Sequence, residues 1–531
     1  MELNDNIILV KSSDVLPNQL ANFKSNTFGD TNVKEYNDYN IVGENIRFMD
    51  SPKARSIFNM DLEDIGFRTK FKNVPKSHTV SLEITNGFEL RDYQVKTHDY
   101  IIDYFKDDDK VSSNRLLMDL EPGAGKGFIL NKVISTLELR PTILIKPTYV
   151  TKWKDELKEH YGINDDDIFV FNRGKQVEKT KDGFNHEDYK VIIITTNFVT
   201  SVCKDMRGVK WLSNFLNMVK SSIVVNDETH QHFDSVSNSF RLLNPPFIIG
   251  MSASLVSNNT IEDKRQQDVF PNEQRLSFKV PSPYIHYGLY YYTTSNLSEK
   301  QYEGFVGYSH VLYESSILES KGTFESYMNL VVIRVREDFI KNPERKKGDR
   351  CIIYFASLEM ISKVAVFIND KLKESNIDLK VGSYTGDNNY EDIFKYDIII
   401  ATLGKAGTAI DIPNLLYVLN TVNVASFQLN IQVPGRLRRR KEKLKYAQLL
   451  NLKIRKHSSY SKNYLRRFGR NYKKLSYETM RHPEIIFHNT YKPKYRGNNN
   501  TFKGRNNYGK RSRPNNNKYW GNNRNNNGRR W

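Results

Sequence analysis

Short apolar runs alternate with longer amphipathic stretches through the middle of the chain, and this rhythm predicts parallel β-sheets with helices on both faces. Strands that are buried on both faces have continuous apolar runs rather than alternating ones. Between Leu90 and Ser254, such runs occupy residues 142–145, 191–194, 222–225 and 247–250. The rhythm returns at residues 351–355, 397–400 and 416–419. The pattern therefore predicts an α/β fold with two parallel-sheet units in tandem.

These units divide the chain into five predicted parts. Residues 1–86 are expected to form an N-terminal accessory region, in which residues 7–10 and 80–84 are typical of short strands. The other predicted parts are a first α/β lobe at 87–279, a tyrosine-rich connecting region at 280–349, a second α/β lobe at 350–484 and a basic tail at 485–531.

The charge of the chain indicates the class of its partner. The 531 residues carry a formal charge of +19, and the isoelectric point is near 9.4. A field of this sign attracts phosphate groups, so nucleic acid or an anionic membrane would fit. No apolar run approaches the roughly 18 residues of a membrane span, and the first five residues lack a signal-peptide pattern, which disfavours the membrane. Only Cys203 and Cys351 occur, which argues against structural zinc and for a reducing, cytoplasmic location.

The tail differs in composition from the rest of the chain. After Glu484 there is no acidic residue, and residues 491–531 contain five Lys, seven Arg, 13 Asn and seven aromatic residues. Such a segment cannot bury enough apolar surface to fold alone and is expected to be disordered. One interpretation is a solubilising tail encoded by an AT-rich genome. The other is a flexible arm whose arginines neutralise phosphates and whose rings stack on unpaired bases, and the interleaving of charge with aromatics favours it.

An acidic pair follows one of the predicted buried strands. The apolar run at residues 222–225 passes through Asn226 and ends on Asp227 and Glu228. Two such carboxylates can divide the work of nucleotide hydrolysis, because Asp227 would hold the water shell of Mg²⁺ while Glu228 polarises the attacking water. Taken alone, an Asp-Glu pair is more typical of a solvated surface.

A glycine-rich segment upstream is typical of a phosphate-binding loop. Gly123, Ala124 and Gly125 precede Lys126 and Gly127, and a helix is predicted to follow. Glycines let backbone amides close around phosphate at a helix N-terminus, and Lys126 would reach the terminal phosphates. Gly127 departs from the usual Ser or Thr, whose hydroxyl gives one oxygen to Mg²⁺, so either a water takes that place or metal binding is weakened. An ordinary glycine-rich turn is the alternative.

Five motifs occur in the order found in superfamily 2 helicases, and the chain resembles that family over about residues 88–445. The motifs are residues 90–94, the Lys126 loop, residues 227–230, residues 252–254 and residues 432–439. Residues 145–148 with Trp153 resemble the segment of the first lobe that contacts the nucleic-acid backbone, and residues 194–196 resemble its companion in that lobe. Residues 353–355, 384–386 and 401–411 fill the corresponding places in the second lobe. The first motif and the long connecting region are more similar to DNA helicases of the repair and transcript-release branch than to DEAD-box RNA helicases. That branch includes enzymes of poxviruses and other large cytoplasmic DNA viruses, and the composition also suits a yeast cytoplasmic linear (killer) plasmid.

The resemblance implies two RecA-like lobes, with ATP and Mg²⁺ in the cleft between them and one nucleic-acid strand across both. It also implies that Gln94 recognises adenine. The implied nucleotide-binding residues are Gln94, Gly123, Ala124, Gly125, Lys126, Gly127, Asp411 and Gln432. The implied catalytic residues are Lys126, Asp227, Glu228, Arg436 and Arg439, with Asp227 also as the metal ligand.

Arg436 and Arg439 also support this site by their spacing. Three residues apart on a predicted helix, they would project from one face and reach the γ-phosphate as arginine fingers, a contribution of ~10³ or more in rate. A nucleic-acid contact patch is the alternative, because Arg438 and the basic residues at 440–443 extend the charge. The family has Gly at the position of Arg438, which is expected to contact the nucleic-acid backbone or solvent.

His230 and His232 have a spacing that can ligate metal, but no third ligand lies at a useful distance along the chain. As the resemblance implies, His230 is expected to link the acidic pair to Ser252 or Ser254 and so to join hydrolysis to lobe movement.

The predicted function is therefore an ATP-dependent helicase or translocase acting on DNA or an RNA–DNA hybrid. Its setting would be transcription or replication of a cytoplasmic genetic element, with that machinery as a further partner. Two alternatives remain at this point: an RNA helicase, and a nucleic-acid binding protein whose degenerate core no longer hydrolyses ATP because of Gly127.

Overall fold

The computed structural model of the chain describes residues 2–487 apart from a set of short gaps. The gaps are residues 5, 29–32, 61–69, 86, 108–113, 121–122, 181–183, 231–232, 253–259, 278–284, 306, 387, 389, 407–411, 439, 458 and 461–475. Residues 1–490 form one compact unit. The predicted disordered tail lies outside the described residues from residue 488 onward.

The N-terminal region contains an antiparallel sheet that packs on the first lobe. The strands of this region are β1 (Glu2–Asn4), β2 (Ile7–Lys11), β3 (Lys24–Phe28), β4 (Val33–Asn37), β5 (Tyr39–Val42) and β6 (Asn45–Met49), of which β3 and β4 pair separately, and its helices are α1 (Pro17–Ala21) and α2 (Pro52–Ile57). Four strands pair in the order β1-β2-β6-β5, which confirms the strand predicted at residues 7–10. Arg47 donates a hydrogen bond to the carbonyl of Leu242 at 2.7 Å, and Asp38 pairs with Arg265 at 2.7 Å. These long-range bonds attach the region to the first lobe.

The prediction of a strand at residues 80–84 is wrong. The segment runs across the first lobe as irregular backbone, with one isolated bridge between Thr79 and Leu139. Its amides bond to the ends of lobe helices instead of to a strand: Val80 N–H to the carbonyl of Glu138 at 2.9 Å, and Thr85 N–H to that of His160 at 2.8 Å. Its apolar residues Val80, Leu82 and Ile84 pack against the core of the first lobe, which explains the apolar pattern.

The first lobe is a parallel sheet covered by helices. Its helices are α3 (Asp92–Lys106), α4 (Lys126–Leu137), α5 (Val150–Tyr161), α6 (Thr196–Val202), α7 (Met206–Ser213), α8 (Phe215–Val219), α9 (Phe233–Leu243) and α10 (Thr260–Val269). Its strands are β7 (Arg115–Asp119), β8 (Pro141–Ile145), β9 (Ile168–Phe171), β10 (Val191–Thr195), β11 (Ile223–Asn226), β12 (Phe247–Ser252) and β13 (Arg275–Leu276). All neighbours are parallel, in the order β13-β7-β12-β11-β8-β10-β9. The four runs predicted as strands are confirmed, and β7, β9 and β13 are additional.

The second lobe repeats this design. Its strands and those leading into it are β14 (Ile285–Tyr292), β15 (Thr294–Ser295), β16 (Glu303–Gly304), β17 (Gly307–Tyr308), β18 (Arg350–Phe355), β19 (Val381–Tyr384), β20 (Ile398–Thr402), β21 (Leu415–Asn420), β22 (Leu444–Asn451), β23 (Ser476–Arg481) and β24 (Ile485–Ile486). The helices are α11 (His310–Leu318), α12 (Lys321–Val335), α13 (Leu358–Glu374), α14 (Leu403–Ala406) and α15 (Phe427–Gln432). Seven parallel strands pair in the order β19-β20-β18-β21-β22-β14-β23.

Strand β14 comes from the segment expected to connect the lobes, yet it is paired along its whole length with β22. Tyr290 and Tyr292 on this strand are fully buried. The aromatic run is therefore core, and the second sheet begins earlier in the chain than residue 350. The predicted α/β class with two parallel-sheet lobes is confirmed. Among the described residues, no helix is long and apolar enough to cross a bilayer.

Candidate nucleotide site

The predicted phosphate loop links β7 to α4 at the carboxyl edge of the first sheet. Gly123 and Gly125 have φ angles of 82° and 76°, in the left-handed region that side chains disfavour. A Cβ at Gly125 would also collide with Nε2 of Gln94, so a larger residue does not fit. Because α4 begins at Lys126, its first amides and the positive end of its dipole face the loop. The loop therefore has the geometry that receives phosphate oxygens.

Lys126 bends back over this loop. Its Nζ donates a hydrogen bond to the carbonyl of Leu120 at 2.9 Å. Burial lowers the pKa of Lys126, and the carboxylates of Glu228 and Asp227 oppose that shift. The ammonium thus lies between the loop and the acidic pair, where it can exchange Leu120 for a phosphate oxygen.

The acidic pair begins directly after β11. Asp227 Oδ2 accepts a hydrogen bond from Nε1 of Trp153 at 3.0 Å, and Oδ1 accepts one from the backbone amide of Glu228 at 2.9 Å. Burial raises the pKa of Asp227, and the charge of Glu228 raises it further. The two carboxylates are therefore held close together at an electrostatic cost, which is typical of a site that receives a cation.

Glu228 adopts a strained conformation that directs it into the site. Its φ angle is 54°, which is uncommon for a residue with a side chain. Its Oε2 is buried and makes no hydrogen bond within the described part of the chain, although Nδ1 of His230 lies 3.4 Å away. A carboxylate oxygen in this position can accept a hydrogen bond from a water beside the bound phosphate.

Gln94 ties the start of α3 to the phosphate loop. Its Oε1 accepts a hydrogen bond from the amide of Arg91 at 2.9 Å, and its Nε2 donates to the carbonyl of Ala124 at 3.0 Å. The side chain is buried. Both of its polar atoms are therefore bonded to backbone, and recognition of adenine by Gln94 stays a prediction.

A histidine joins the two lobes. His230 Nδ1 lies 2.9 Å from Oγ of Ser252, and Nε2 lies 3.1 Å from Nε2 of Gln432 in the second lobe. Burial lowers the pKa of His230 to about 4, so the ring is neutral at pH 7. With the Gln432 amide donating to Nε2, the ring proton is on Nδ1 and faces Ser252. The predicted link to Ser252 is present, whereas Ser254 and His232 lie outside the described residues.

The second lobe places two arginines in the site. The prediction that Arg436 lies on a helix with Arg439 is wrong, because Pro434–Arg436 is a single 3₁₀ turn and Leu437 is extended. Arg436 is buried, and burial lowers its pKa, as does the charge of Arg438. Arg438 crosses over the phosphate loop, since a Cβ at Gly123 would lie 3.1 Å from its Nη1. Arg439 and Asp411 lie outside the described residues.

These groups surround a cavity of about 280 Å³ between the lobes. Its walls are formed by Gly123, Gly125, Lys126, Gly127, Tyr149, Lys152, Trp153, Glu156, Asp227, Glu228, Gly435, Arg436 and Arg438. Basic side chains and loop amides share this space with three acidic residues, Glu156, Asp227 and Glu228, a charge arrangement that suits a metal-bound polyphosphate.

Six residues of this wall were not assigned to it from the sequence: Tyr149, Lys152, Trp153, Glu156, Gly435 and Arg438. Arg438 was expected at the nucleic-acid backbone or in solvent, and Trp153 in a segment that contacts nucleic acid. Lys152 and Glu156, on α5, form an ion pair at 3.5 Å. Burial raises the pKa of Glu156, as does Asp227, while Lys152 and Arg438 oppose the shift. The available signal was helical spacing, because Glu156 follows Trp153 by three residues and Lys152 by four, which places Glu156 beside both on the surface of the helix.

The donor set suits Mg²⁺ bound together with a nucleotide. Within the described ranges, no three His, Cys, Asp or Glu side chains are grouped to hold a metal alone. Mg²⁺ in nucleotide sites keeps several waters and takes one or two carboxylates plus phosphate oxygens. Asp227 can supply such a carboxylate, the loop amides can bind the phosphate oxygens that complete the set, and Glu228 keeps an unbonded oxygen for a water.

Comparisons with known proteins support the resemblance over the first lobe. Residues 87–257 match the family described as "Type III restriction enzyme, res subunit" (ResIII). This match supports a superfamily 2 helicase. No curated protein matches the chain.

Two solved structures are similar to the chain. UvsW of T4 shares 15% identity over 78% of this chain and 81% of its own, with a TM-score of 0.27. Dbp5 of S. cerevisiae, bound to RNA and ADP BeF3, shares 15% identity over 74% of this chain and 94% of its own, with a TM-score of 0.42.

Proposed function

We propose that this chain is an ATP-hydrolysing motor of the superfamily 2 type that moves along nucleic acid. The observation that carries the proposal is the cavity between the lobes, where a phosphate loop and an acidic pair from one lobe face Arg436 and Arg438 from the other. A site divided in this way is complete when the lobes are together. Binding and hydrolysis of ATP can therefore drive closure and opening of the cleft.

The residues that carry the chemistry have separate roles. Lys126 and the loop amides bind the terminal phosphates, and Asp227 holds the hydrated Mg²⁺. When bound, Mg²⁺ neutralises charge on the phosphate oxygens. Glu228 orients and deprotonates the attacking water through its Oε2. Arg436 stabilises the charge that develops on the γ-phosphate in the transition state. His230 and Gln432 connect this chemistry to the movement of the second lobe.

The substrate is proposed to be DNA or an RNA–DNA hybrid, bound across both lobes. The charge of +19 and the basic, aromatic tail support a nucleic-acid partner. A setting in transcription or replication of a cytoplasmic viral or plasmid element rests on the motif pattern and composition alone. The rival functions are an RNA helicase and a nucleic-acid binding protein without turnover.

Measuring ATP hydrolysis without nucleic acid, with single-stranded DNA and with RNA separates these three functions. We expect a basal rate that single-stranded DNA stimulates. Lys126→Ala should lower the stimulated rate about 100-fold, because a positioned charge at the reacting phosphate is lost. Stimulation by RNA alone would favour the RNA helicase. Absence of hydrolysis under all three conditions, or full activity in Lys126→Ala, would show that the proposal is wrong.

The bond between His230 and Gln432 should couple the two lobes. We expect His230→Ala to lower the ratio of DNA-stimulated to basal hydrolysis about 5-fold or more, since coupling free energies of this kind are worth 5-fold to 150-fold. Ser252→Ala is the matched control, because it removes the neighbour on the same lobe and leaves the bond across the cleft. If both variants lower the ratio equally, the contact between lobes is not the coupling element.

A further inference from the structure

Gly127 leaves a space beside the phosphate loop that another residue fills. This glycine is the second residue of α4 and stands where phosphate loops carry a hydroxyl side chain. A Cβ built on Gly127 would lie 3.0 Å from Oε2 of Glu156. The carboxylate of Glu156, from α5, therefore occupies the position that a side chain at residue 127 would otherwise take.

The packing of α5 fixes Glu156 in this position. Trp153 and Leu157 are buried and anchor the inner face of the helix. Trp153 also donates a hydrogen bond from its indole N–H to Asp227, and this bond fixes the position of α5 relative to the acidic pair. Glu156 follows Trp153 by three residues and lines the same cavity as Asp227 and Gly127. The packed position of α5 therefore fixes where Glu156 lies, and Glu156 is not a freely moving surface side chain.

We infer that Glu156 replaces the missing hydroxyl of the phosphate loop as the second protein group that holds the Mg²⁺ of the bound nucleotide, together with Asp227. This inference rests on the proposed function. Carboxylate oxygens are preferred ligands of Mg²⁺, and one or two of them are usual beside phosphates. In the structure, the ammonium of Lys152 is the cation paired with Glu156, at 3.5 Å. The Lys152 side chain is 48% exposed, so it can turn to solvent when the metal enters.

The added negative charge has a counterpart on the other side of the cavity. A carboxylate in place of a neutral hydroxyl would repel the phosphates. Arg438, a second departure from the family pattern, lies over the phosphate loop at Gly123 and lines the same cavity. Glu156 and Arg438 thus add one negative and one positive charge to the site, while Lys152 lines the same wall as the ion-pair partner of Glu156.

The affinity of the full chain for a fluorescent ADP analogue, titrated with Mg²⁺ and in EDTA, tests this inference without relying on turnover. For wild type we expect Mg²⁺ to strengthen binding. In Glu156→Gln, which keeps the size of the side chain, the Mg²⁺ concentration needed for half of that gain should rise about 10-fold, as for other groups that support a bound metal. Binding in EDTA should be equal or tighter, because one negative charge is removed. Glu159→Gln, on the exposed face of the same helix, is the matched control and should behave as wild type.

A double variant supplies the reciprocal test. Gly127→Ser with Glu156→Ala restores the hydroxyl and removes the carboxylate that the new side chain would meet, so the Mg²⁺ dependence should return to near that of wild type. If Glu156→Gln retains the wild-type Mg²⁺ dependence, or if the double variant is as defective as Glu156→Ala, the inference is overturned. If wild type does not bind the nucleotide at all, the proposed function fails instead.

Discussion

Replacing Asp227 by asparagine should lower the rate of ATP hydrolysis about 1,000-fold while the protein remains folded. Loss of a metal-holding charge removes several kcal/mol of transition-state stabilisation, and ~4 kcal/mol corresponds to this factor. The effect should be unusually large here, because Gly127 contributes no hydroxyl. Asparagine keeps an oxygen that can accept the hydrogen bond from Nε1 of Trp153, at 3.0 Å in the structure, so the wall of the cavity is preserved.

The matched control is Asp99→Asn, which removes an exposed carboxylate from α3 in the same lobe. It should leave the hydrolysis rate within about 3-fold of wild type, as expected for a surface substitution. Steady-state hydrolysis and binding of a fluorescent ADP analogue in EDTA should be measured for both variants. Asp227→Asn is expected to bind the nucleotide without metal as wild type does. A rate within 10-fold of wild type would place the metal elsewhere.

The same substitution should raise the melting temperature slightly. Burial, and then the charge of Glu228, raise the pKa of Asp227 in the folded protein. The ionised form therefore destabilises the fold at a pH above that raised pKa, and asparagine removes this effect. The gain should be present at neutral pH and should disappear below the ordinary pKa of an aspartate carboxyl. Thermal unfolding of both proteins at pH 7 and at about pH 3, below the ordinary pKa of aspartate, compares the two conditions.

Replacing Arg436 by alanine should lower kcat about 1,000-fold, the effect of losing an arginine finger in other nucleotide hydrolases. Arg436 is buried on a short turn and reaches the cavity from the second lobe. Arg438→Gly should act differently, because Arg438 lies over the phosphate loop at Gly123. Loss of one charge-assisted bond to phosphate should weaken nucleotide binding about 10-fold, with a smaller change in kcat.

Arg440→Gln is the control for this basic run. Arg440 forms ion pairs with Asp349 at 2.8 Å and Glu442 at 2.7 Å, so it is occupied within the second lobe. Its kcat and KM should stay within about 3-fold of wild type. Measurement of kcat, KM and the Kd for ADP of the three variants distinguishes catalysis from binding. Equal effects of Arg436→Ala and Arg440→Gln would show that the run acts as a general contact patch.

The fold was largely predictable because buried parallel strands have a local signature. Four apolar runs of the first lobe and three of the second became neighbouring strands, since backbone buried on both faces requires apolar side chains in succession. Strand β14 was not recognised as part of the second sheet. Its tyrosine run is typical of a core or an interface but does not indicate which sheet it joins, and its partner β22 lies more than 150 residues later.

The candidate site was predictable where one short segment carries the chemistry. The phosphate loop and the Asp227-Glu228 pair each follow a strand within a few residues. The local sequence therefore indicates both the kind of site and the edge of the sheet at which it lies. The arginines were harder to assign. The sequence predicted a helix through Arg436 and Arg439, and the structure instead ends the turn at Arg436 and brings Arg438 to Gly123. The path of the chain after Arg436 depends on Pro434 and on the contact between the lobes.

The sequence alone therefore specifies two α/β lobes, a phosphate loop, an acidic pair and a missing hydroxyl at Gly127, because each of these features depends on residues that are close together in the sequence. The tertiary structure specifies which side chains share one cavity. Glu156 meets Gly127 through the packing of two helices, and Arg438 meets Gly123 across the cleft between lobes. Contacts between residues so far apart in sequence depend on how whole elements pack, and no local pattern encodes them.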